Sequence, residues 1–274
     1  MSRTVPRSEL EAFRHTVLGW YAGHRRDLPW RRTRDPYRVL VSEVMLQQTQ
    51  VTRVIDKYAE FVSAFPTVQA LAAAPLAEVL RVWSGLGYNR RARSLKAAAE
   101  TIVAEHGGRV PDTLETLVAL PGVGHATAAQ VLAFAFGTGV PFIETNIRAV
   151  YLHHFFPGES DVPDAEVLPL VAATLDADDP REWYYALMDY GTWLKKTVPN
   201  PSRASRHHAS QSRFEGSPRQ ARGAVLRALI AVPGLDVAGI AAETGVDEER
   251  IARAVAALMA EGFLAADGGR LRIV

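Results

Sequence analysis

Apolar residues recur at three- and four-residue spacing along most of the chain. That period predicts helices over 8–22, 36–64, 76–81, 90–106, 113–119, 125–136, 145–155, 164–176 and 180–195. Glycine and proline separate them, as at Gly85-Leu86-Gly87, Gly107-Gly108, Pro121-Gly122 and Pro157-Gly158. Strand-like alternation is nearly absent before residue 262. Residues 196–217 lose the period, are rich in Pro, Ser, Arg and His, and read as an irregular basic segment. Beyond it, Arg219–Val232, Asp236–Thr244 and Asp247–Glu261 predict three more helices. Gly262–Val274 then predicts a hairpin turned at Asp267-Gly268. Three helices and a hairpin over 218–274 suggest a winged helix. The fold class is mainly α.

Composition narrows the class. Hydrophobic residues make up 48% of the chain, enough for a real core and too many for disorder. Apolar runs are broken by charges, and Met1–Glu9 lacks the apolar centre of a signal peptide, so a cytoplasmic protein without a membrane partner is expected. Net charge is only +1, so a nucleic-acid site must come from local clustering. One cluster is Asn89-Arg90-Arg91-Ala92-Arg93-Ser94-Leu95-Lys96. The other runs from Lys195 to Arg222, with seven Lys or Arg against one acid, Glu215. A single run of this kind is ordinarily a solvated face. There is no cysteine, which excludes disulfides, thiolate nucleophiles and cysteine-held metals.

Three stretches carry candidate chemistry. Leu120-Pro121-Gly122-Val123-Gly124 joins two predicted helices. Its glycines permit a tight turn, and the N–H groups opening the next helix suit a phosphate oxygen. Such a turn also occurs for purely structural reasons. Glu43 lies among apolar residues in Val41–Val51, where burial would raise its pKa towards neutrality and make it a proton donor. The plain alternative is an exposed acid on an amphipathic helix. Gln47 and Gln48 suit base edges or solvent. Glu144 precedes a predicted helix, with Thr145 or Asn146 as candidate cap. It suits either helix charge compensation or stabilisation of a cationic sugar.

The order of these blocks resembles the MutY-like adenine DNA glycosylases of the helix-hairpin-helix superfamily. The resemblance rests on Leu28-Pro29-Trp30-Arg31, Asp35-Pro36-Tyr37, Ser42–Val51, Phe65-Pro66-Thr67, Trp83–Tyr88, Leu120–Gly124 and Ala186–Gly191, and covers roughly residues 8–195. It implies a two-lobed helix-hairpin-helix glycosylase domain over 1–195, with a DNA cleft. The basic segment 196–217 and the winged helix 218–274 would follow. The implied partner is double-stranded DNA with a mismatched or damaged base, bound by a monomer. The implied chemistry is rotation of a nucleotide out of the duplex and cleavage of its glycosidic bond. By position, Glu43 matches the glutamate that protonates adenine at N7, and Glu144 the acid that stabilises the sugar cation. Arg26, Leu28, Trp30, Arg31, Gln48, Tyr88, Ala126, Asn146 and Asp189 fall at substrate positions, Gln48 and Tyr88 as wedges in the base stack. Gln47, Arg90, Arg91, Gly122, Gly124, His125, Thr127, Arg203, Arg206 and Arg213 fall at DNA-facing positions. A monovalent cation at the hairpin is implied.

The chain also departs from the family. Glu144 stands where Asp is usual. Ala126 stands at the position of the lysine that forms a Schiff base in bifunctional relatives, so strand cleavage by that route is not expected. Lys195, Ser202, Ser205 and Gln211 occupy the spacing of the four iron–sulfur cysteines, so no cluster is expected, nor any other metal. His207 and His208 read as surface residues. The C-terminal segment replaces a domain that recognises 8-oxoguanine, and its Asp247-Glu248-Glu249 start disfavours phosphate. Adenine opposite guanine or 8-oxoguanine is the expected target. Thymine or uracil opposite guanine, and a non-catalytic lesion-binding or winged-helix DNA-binding protein, remain open.

Overall fold

A computed structural model describes residues 5–208 and 213–274. Its helices are α1 (Arg7–His24), α2 (Pro36–Leu46), α3 (Val51–Ala64), α4 (Val68–Ala73), α5 (Leu76–Trp83), α6 (Arg90–Glu105), α7 (Leu114–Val118), α8 (His125–Val131), α9 (Thr145–Phe155), α10 (Asp164–Thr174), α11 (Pro180–Thr197), α12 (Pro218–Ala231), α13 (Val237–Thr244) and α14 (Glu248–Ala260). Strands β1 (Leu264–Asp267) and β2 (Arg270–Ile273) form an antiparallel pair. The chain forms two compact units: residues 1–43, 112–119 and 123–210 in one, and 44–111, 120–122 and 211–274 in the other. Among the described residues, no helix is long and apolar enough to cross a membrane.

The first unit is organised around α11, which packs on α1 and α9. Phe13 of α1 meets Tyr151 and Phe155 of α9 and Trp183 of α11, with ring centroids 5.0–6.0 Å apart. The closest approach is at Gly191, where a Cβ would sit 2.3 Å from the Asn146 carbonyl oxygen. Glycine is therefore what lets α11 pass the first turn of α9.

In the second unit, α3 packs on α5, while α6 packs on α4 and α5 around Phe61, Phe65 and Trp83. Helices α12, α13 and α14 pack on one another, and α12 also packs on α5. Helix–helix–helix–hairpin is the order expected from the sequence, and residues 211–274 share their compact unit with 44–111. The hairpin turns on Gly268-Gly269, both at positive φ, with Asp267 paired to Arg270. The Asp267-Gly268 turn expected from sequence is displaced by one residue.

The continuous helix expected over 36–64 is broken. In an unbroken helix the Val44 and Met45 carbonyls would accept the N–H groups of Gln48 and Thr49. Here Arg91 Nη1 donates to both carbonyls, at 2.7 and 2.8 Å. Gln48 turns to a left-handed φ of 53°, and α3 starts afresh at Val51. Helix α4 was not expected, and Thr67 caps it by accepting from Ala70 N at 3.1 Å. After α8, Leu132–Phe136 is a π-helical turn.

Candidate active site

Arg181, Tyr185 and Asp189 recur every fourth residue, so α11 presents them on one face. That face receives the turn Pro29–Arg32. Arg31 Nη1 donates to Asp189 Oδ2 at 2.8 Å and Nη2 to Oδ1 at 2.7 Å, a bidentate pair. The Asp189 side chain is fully buried and that of Arg31 is 4% exposed. Arg26 adds its backbone N–H at 3.0 Å and Nε at 2.6 Å to the same carboxylate. Arg181 Nη2 donates to the Arg31 and Thr33 carbonyls at 2.7 and 2.8 Å. The Arg31 guanidinium lies 4.2 Å from the Tyr185 ring centroid. Asp189, expected at the substrate, is instead the buried counter-ion that fixes Arg31. Leu28 and Trp30 are also buried, at 6% and 3% exposure.

Glu43 belongs to the same unit and is 5% exposed. Burial pushes its carboxyl up to about 8; the Arg31 charge pulls it down, the Glu144 charge pushes it up, and Ser42 pulls it down through a 3.4 Å hydrogen bond. Desolvation wins because removing a carboxylate from water costs more than one nearby guanidinium returns. At neutral pH Glu43 therefore holds a proton that it can give up. Burial, with Glu43 next in effect, also raises the Tyr185 hydroxyl far above its ordinary value.

Glu144 caps α9 itself. Its Oε1 accepts from Asn146 N at 2.7 Å and Ile147 N at 2.8 Å, and its Oε2 accepts from Asn146 Nδ2 at 3.1 Å. Neither Thr145 nor Asn146 is the cap. Asn146 is a ligand of Glu144. Lys195 stands one turn past Gly191 on α11; burial lowers its pKa and Glu144 opposes that shift.

In the second unit, Arg91 is the hub of two loops. Besides the Val44 and Met45 carbonyls, its Nη2 donates to Thr49 Oγ1 at 2.9 Å and to the Leu86 and Gly87 carbonyls at 3.4 and 3.3 Å. It lies 5.3 Å from the Trp83 ring centroid. Desolvation lowers its pKa to about 10. Arg91, expected to face phosphate, is therefore turned inward. It ties the turn carrying Gln47 and Gln48 to the loop carrying Tyr88. Gln48 and Tyr88 both have left-handed backbones, at φ 53° and 48°. Such conformations are uncommon without glycine and cluster at working sites.

The hairpin follows α7, which packs on α8. Gly122 has φ 74°, and a Cβ there would lie 2.4 Å from Ser94 Cβ, so glycine is required. Gly124 has an ordinary φ of −86° and open space around it, so its backbone does not need glycine. His125 is exposed, whereas Thr127, expected at a DNA-facing position, is buried. Ala126 is half-buried.

The segment at the iron–sulfur spacing has no thiolate, and Lys195, Ser202 and Ser205 cannot hold such a cluster. Hydrogen bonds hold it instead. Val162 N donates to the Ala204 carbonyl at 2.9 Å, and Arg206 N to the Val162 carbonyl at 3.0 Å. Asn200 accepts from Ser202 N, and Ser202 and Ser205 are buried at 4% and 6%. Arg206 pairs with Asp161 at 2.7 Å. Arg203 and Arg213 are exposed, as are His207 and His208. Gln211 lies outside the described residues. Among the described residues no group of His, Asp and Glu could hold a metal ion.

Sequence reading missed Ser42, Tyr185, Arg181 and Lys195 as members of this site. The fourfold spacing in α11 was available as a signal for Arg181 and Tyr185, because Asp189 was already a candidate. Ser42 opens the run Ser42–Val51 and Lys195 stands at the first cysteine position, but nothing local placed either beside Glu43 or Glu144.

The model of the family described as HhH-GPD superfamily base excision DNA repair protein matches residues 41–186, more than half of the chain. An adenine DNA glycosylase of Mycolicibacterium smegmatis is 38% identical over 235 residues, covering 78% of this chain and 78% of that protein. The human adenine DNA glycosylase is 39% identical over 208 residues, covering 72% of this chain but only 37% of the human protein. Among solved structures, a thermostable thymine-DNA glycosylase shares the fold with a TM-score of 0.60 at 27% identity, over 67% of this chain and 86% of that one.

Proposed function

The chain belongs to the HhH-GPD superfamily of base excision DNA repair proteins, and from that premise we propose that it is a monofunctional adenine DNA glycosylase. It acts as a monomer on double-stranded DNA and removes adenine mispaired with guanine or 8-oxoguanine. The carrying observation is Glu43, a buried carboxyl whose pKa of about 8 leaves it protonated at neutral pH. Rotation of the nucleotide out of the stack brings its base to Glu43, which gives its proton to adenine N7. The protonated base leaves as the glycosidic bond breaks. Glu144, held by three N–H donors, stabilises the oxocarbenium-like sugar, and water completes the hydrolysis. Ala126 supplies no amine, so no Schiff base forms there and the strand stays intact.

Gln48 and Tyr88 enter the base stack. The Gly122 turn, Arg203 and Arg213 contact the backbone. Backbone carbonyls are the only donors the Leu120–Gly124 turn offers, a set that fits a monovalent cation. Such an ion would add positive charge beside the DNA backbone. A second reading, thymine opposite guanine, is favoured by the likeness to a thymine-DNA glycosylase. A pyrimidine has no N7, so Glu43 would then act on water or a carbonyl.

The test is a panel of duplexes carrying every mismatch plus 8-oxoguanine, uracil and hypoxanthine, with products resolved before and after alkali. Adenine release with strand breaks only after alkali is expected. Release of thymine or uracil instead would select the second reading. Binding without release from any duplex would make the protein a lesion binder. Glu43→Gln should bind DNA normally and release base about 10²–10⁴-fold more slowly.

A further inference from the structure

The C-terminal segment grips the Tyr88 loop. Ser217 caps helix α12, its hydroxyl accepting from Gln220 N, and the second residue of the helix is Arg219. Arg219 Nη1 donates to Tyr88 Oη at 3.0 Å, and its guanidinium lies 5.8 Å from the Tyr88 ring centroid. Arg91 stands 5.5 Å from the same centroid. Arg91 also holds the Gly87 carbonyl, and the loop has positive φ at Gly85 (95°), Gly87 (71°) and Tyr88 (48°). A non-glycine residue in the left-handed region needs surroundings that hold it there.

The grip is anchored at the other end of the segment. Glu261 closes α14 and accepts from Arg90 and Arg222 with both oxygens, at 2.5–2.8 Å. The Arg90 and Arg222 bonds hold its carboxyl down at about 2. One turn along α6, Arg93 lies 5.3 Å from the ring centroid of the fully buried Phe263. Arg90, read from sequence as a phosphate contact, is thus one of the three members of an ion triad, with its side chain 72% exposed.

We propose that Arg219 is a positioning residue for Tyr88, and that through it the C-terminal segment sets mismatch discrimination. This rests on the glycosylase reading, in which Tyr88 enters the base stack. A ring held in place before DNA arrives loses less conformational freedom on insertion. That gain exists only where the duplex opens to admit the ring, so it favours mismatched over matched DNA. The segment therefore does not need to read DNA through the acidic start of α14.

The experiment compares wild type, Arg219→Met, Tyr88→Phe and the double variant, each checked for an unchanged melting temperature. The readouts are affinities for mismatched and matched duplexes and the salt dependence of each. Arg219→Met should lower the mismatched-to-matched affinity ratio about 10-fold, some 1.4 kcal/mol. It should leave the salt slope unchanged and cost less in the Tyr88→Phe background, which keeps the ring but loses the hydroxyl that Arg219 holds. Equal loss in both backgrounds, or a salt slope reduced by about 0.9, would make Arg219 an independent phosphate contact and overturn the proposal.

A second measurement needs no DNA. With 13C-labelled tyrosine, the Tyr88 ring of the free protein should flip faster in Arg219→Met than in wild type. An unchanged flip rate refutes the positioning role. A changed rate in a protein that favours no mismatch refutes the glycosylase reading and leaves the positioning intact.

Discussion

Glu43→Gln tests the central claim without any assumption about the base removed. The substitution keeps the shape of the side chain and removes its titration. In the folded protein Glu43 titrates at about 8, against the ordinary 4.5 in the unfolded chain. Between those values the folded state holds a proton that the unfolded state has released. Wild-type stability is therefore fully present below pH 4.5 and falls as the pH rises towards 8. Beyond that the folded state is ionised too, and the loss levels off. The separation corresponds to about 5 kcal/mol, at about 1.36 kcal/mol per pH unit.

Other groups titrate alike in both proteins, so the difference between variant and wild type isolates Glu43. The assay is urea unfolding followed by tryptophan fluorescence at intervals from pH 4.5 to 9. Trp20, Trp30, Trp183 and Trp193, four of the five tryptophans, belong to the unit that holds Glu43. The Gln protein should gain on wild type by several kcal/mol across this range. In parallel, wild-type base release should decline above pH 8 as the proton is lost, and the Gln protein should lie about 10²–10⁴-fold below wild type at neutral pH and by less above pH 8. A stability difference that stays flat from pH 5 to 8 would show that Glu43 is not buried in its neutral form, and the proton-donor role would fail with it.

Asp189→Asn should cost about 3–5 kcal/mol in thermal unfolding, because Arg31 is left buried without its counter-charge; a cost below 1 kcal/mol would show the pair to be solvated. Glu144→Gln keeps an oxygen for the α9 N–H groups, so stability should change by less than about 1 kcal/mol while base release drops about 10²-fold in single-turnover assays; equal loss of both would leave Glu144 as a cap alone. Gly191→Ala drives a Cβ into the Asn146 carbonyl and should destabilise by about 2 kcal/mol or more on calorimetry, with slower base release because Glu144 sits at that helix start. Replacing Arg203, Arg206 and Arg213 by Ala should flatten the salt dependence of DNA binding by about 0.9 for each phosphate no longer neutralised, and an unchanged slope would remove 196–217 from the DNA interface.

Much of this molecule was written in local pattern. The helical period placed α5, α6, α9, α10 and α11 within a few residues, because burying one stripe of a helix demands apolar residues at that spacing wherever the helix lies. The order of short motifs singled out Glu43 and Glu144, and the absent cysteines excluded the cluster outright. What the sequence could not carry is which polar groups meet across long stretches of chain. Arg91 and Asp189 both read as ligands of DNA or substrate, since an isolated charge is ordinarily placed at a surface or a site. Only packing showed that Arg91 ends α2 by taking two carbonyls from 46 and 47 residues upstream, and that Asp189 is neutralised by Arg31 across 158 residues. The pKa of Glu43 is of the same kind, because desolvation depends on every atom that replaces water around a carboxyl, and those atoms come from distant parts of the sequence.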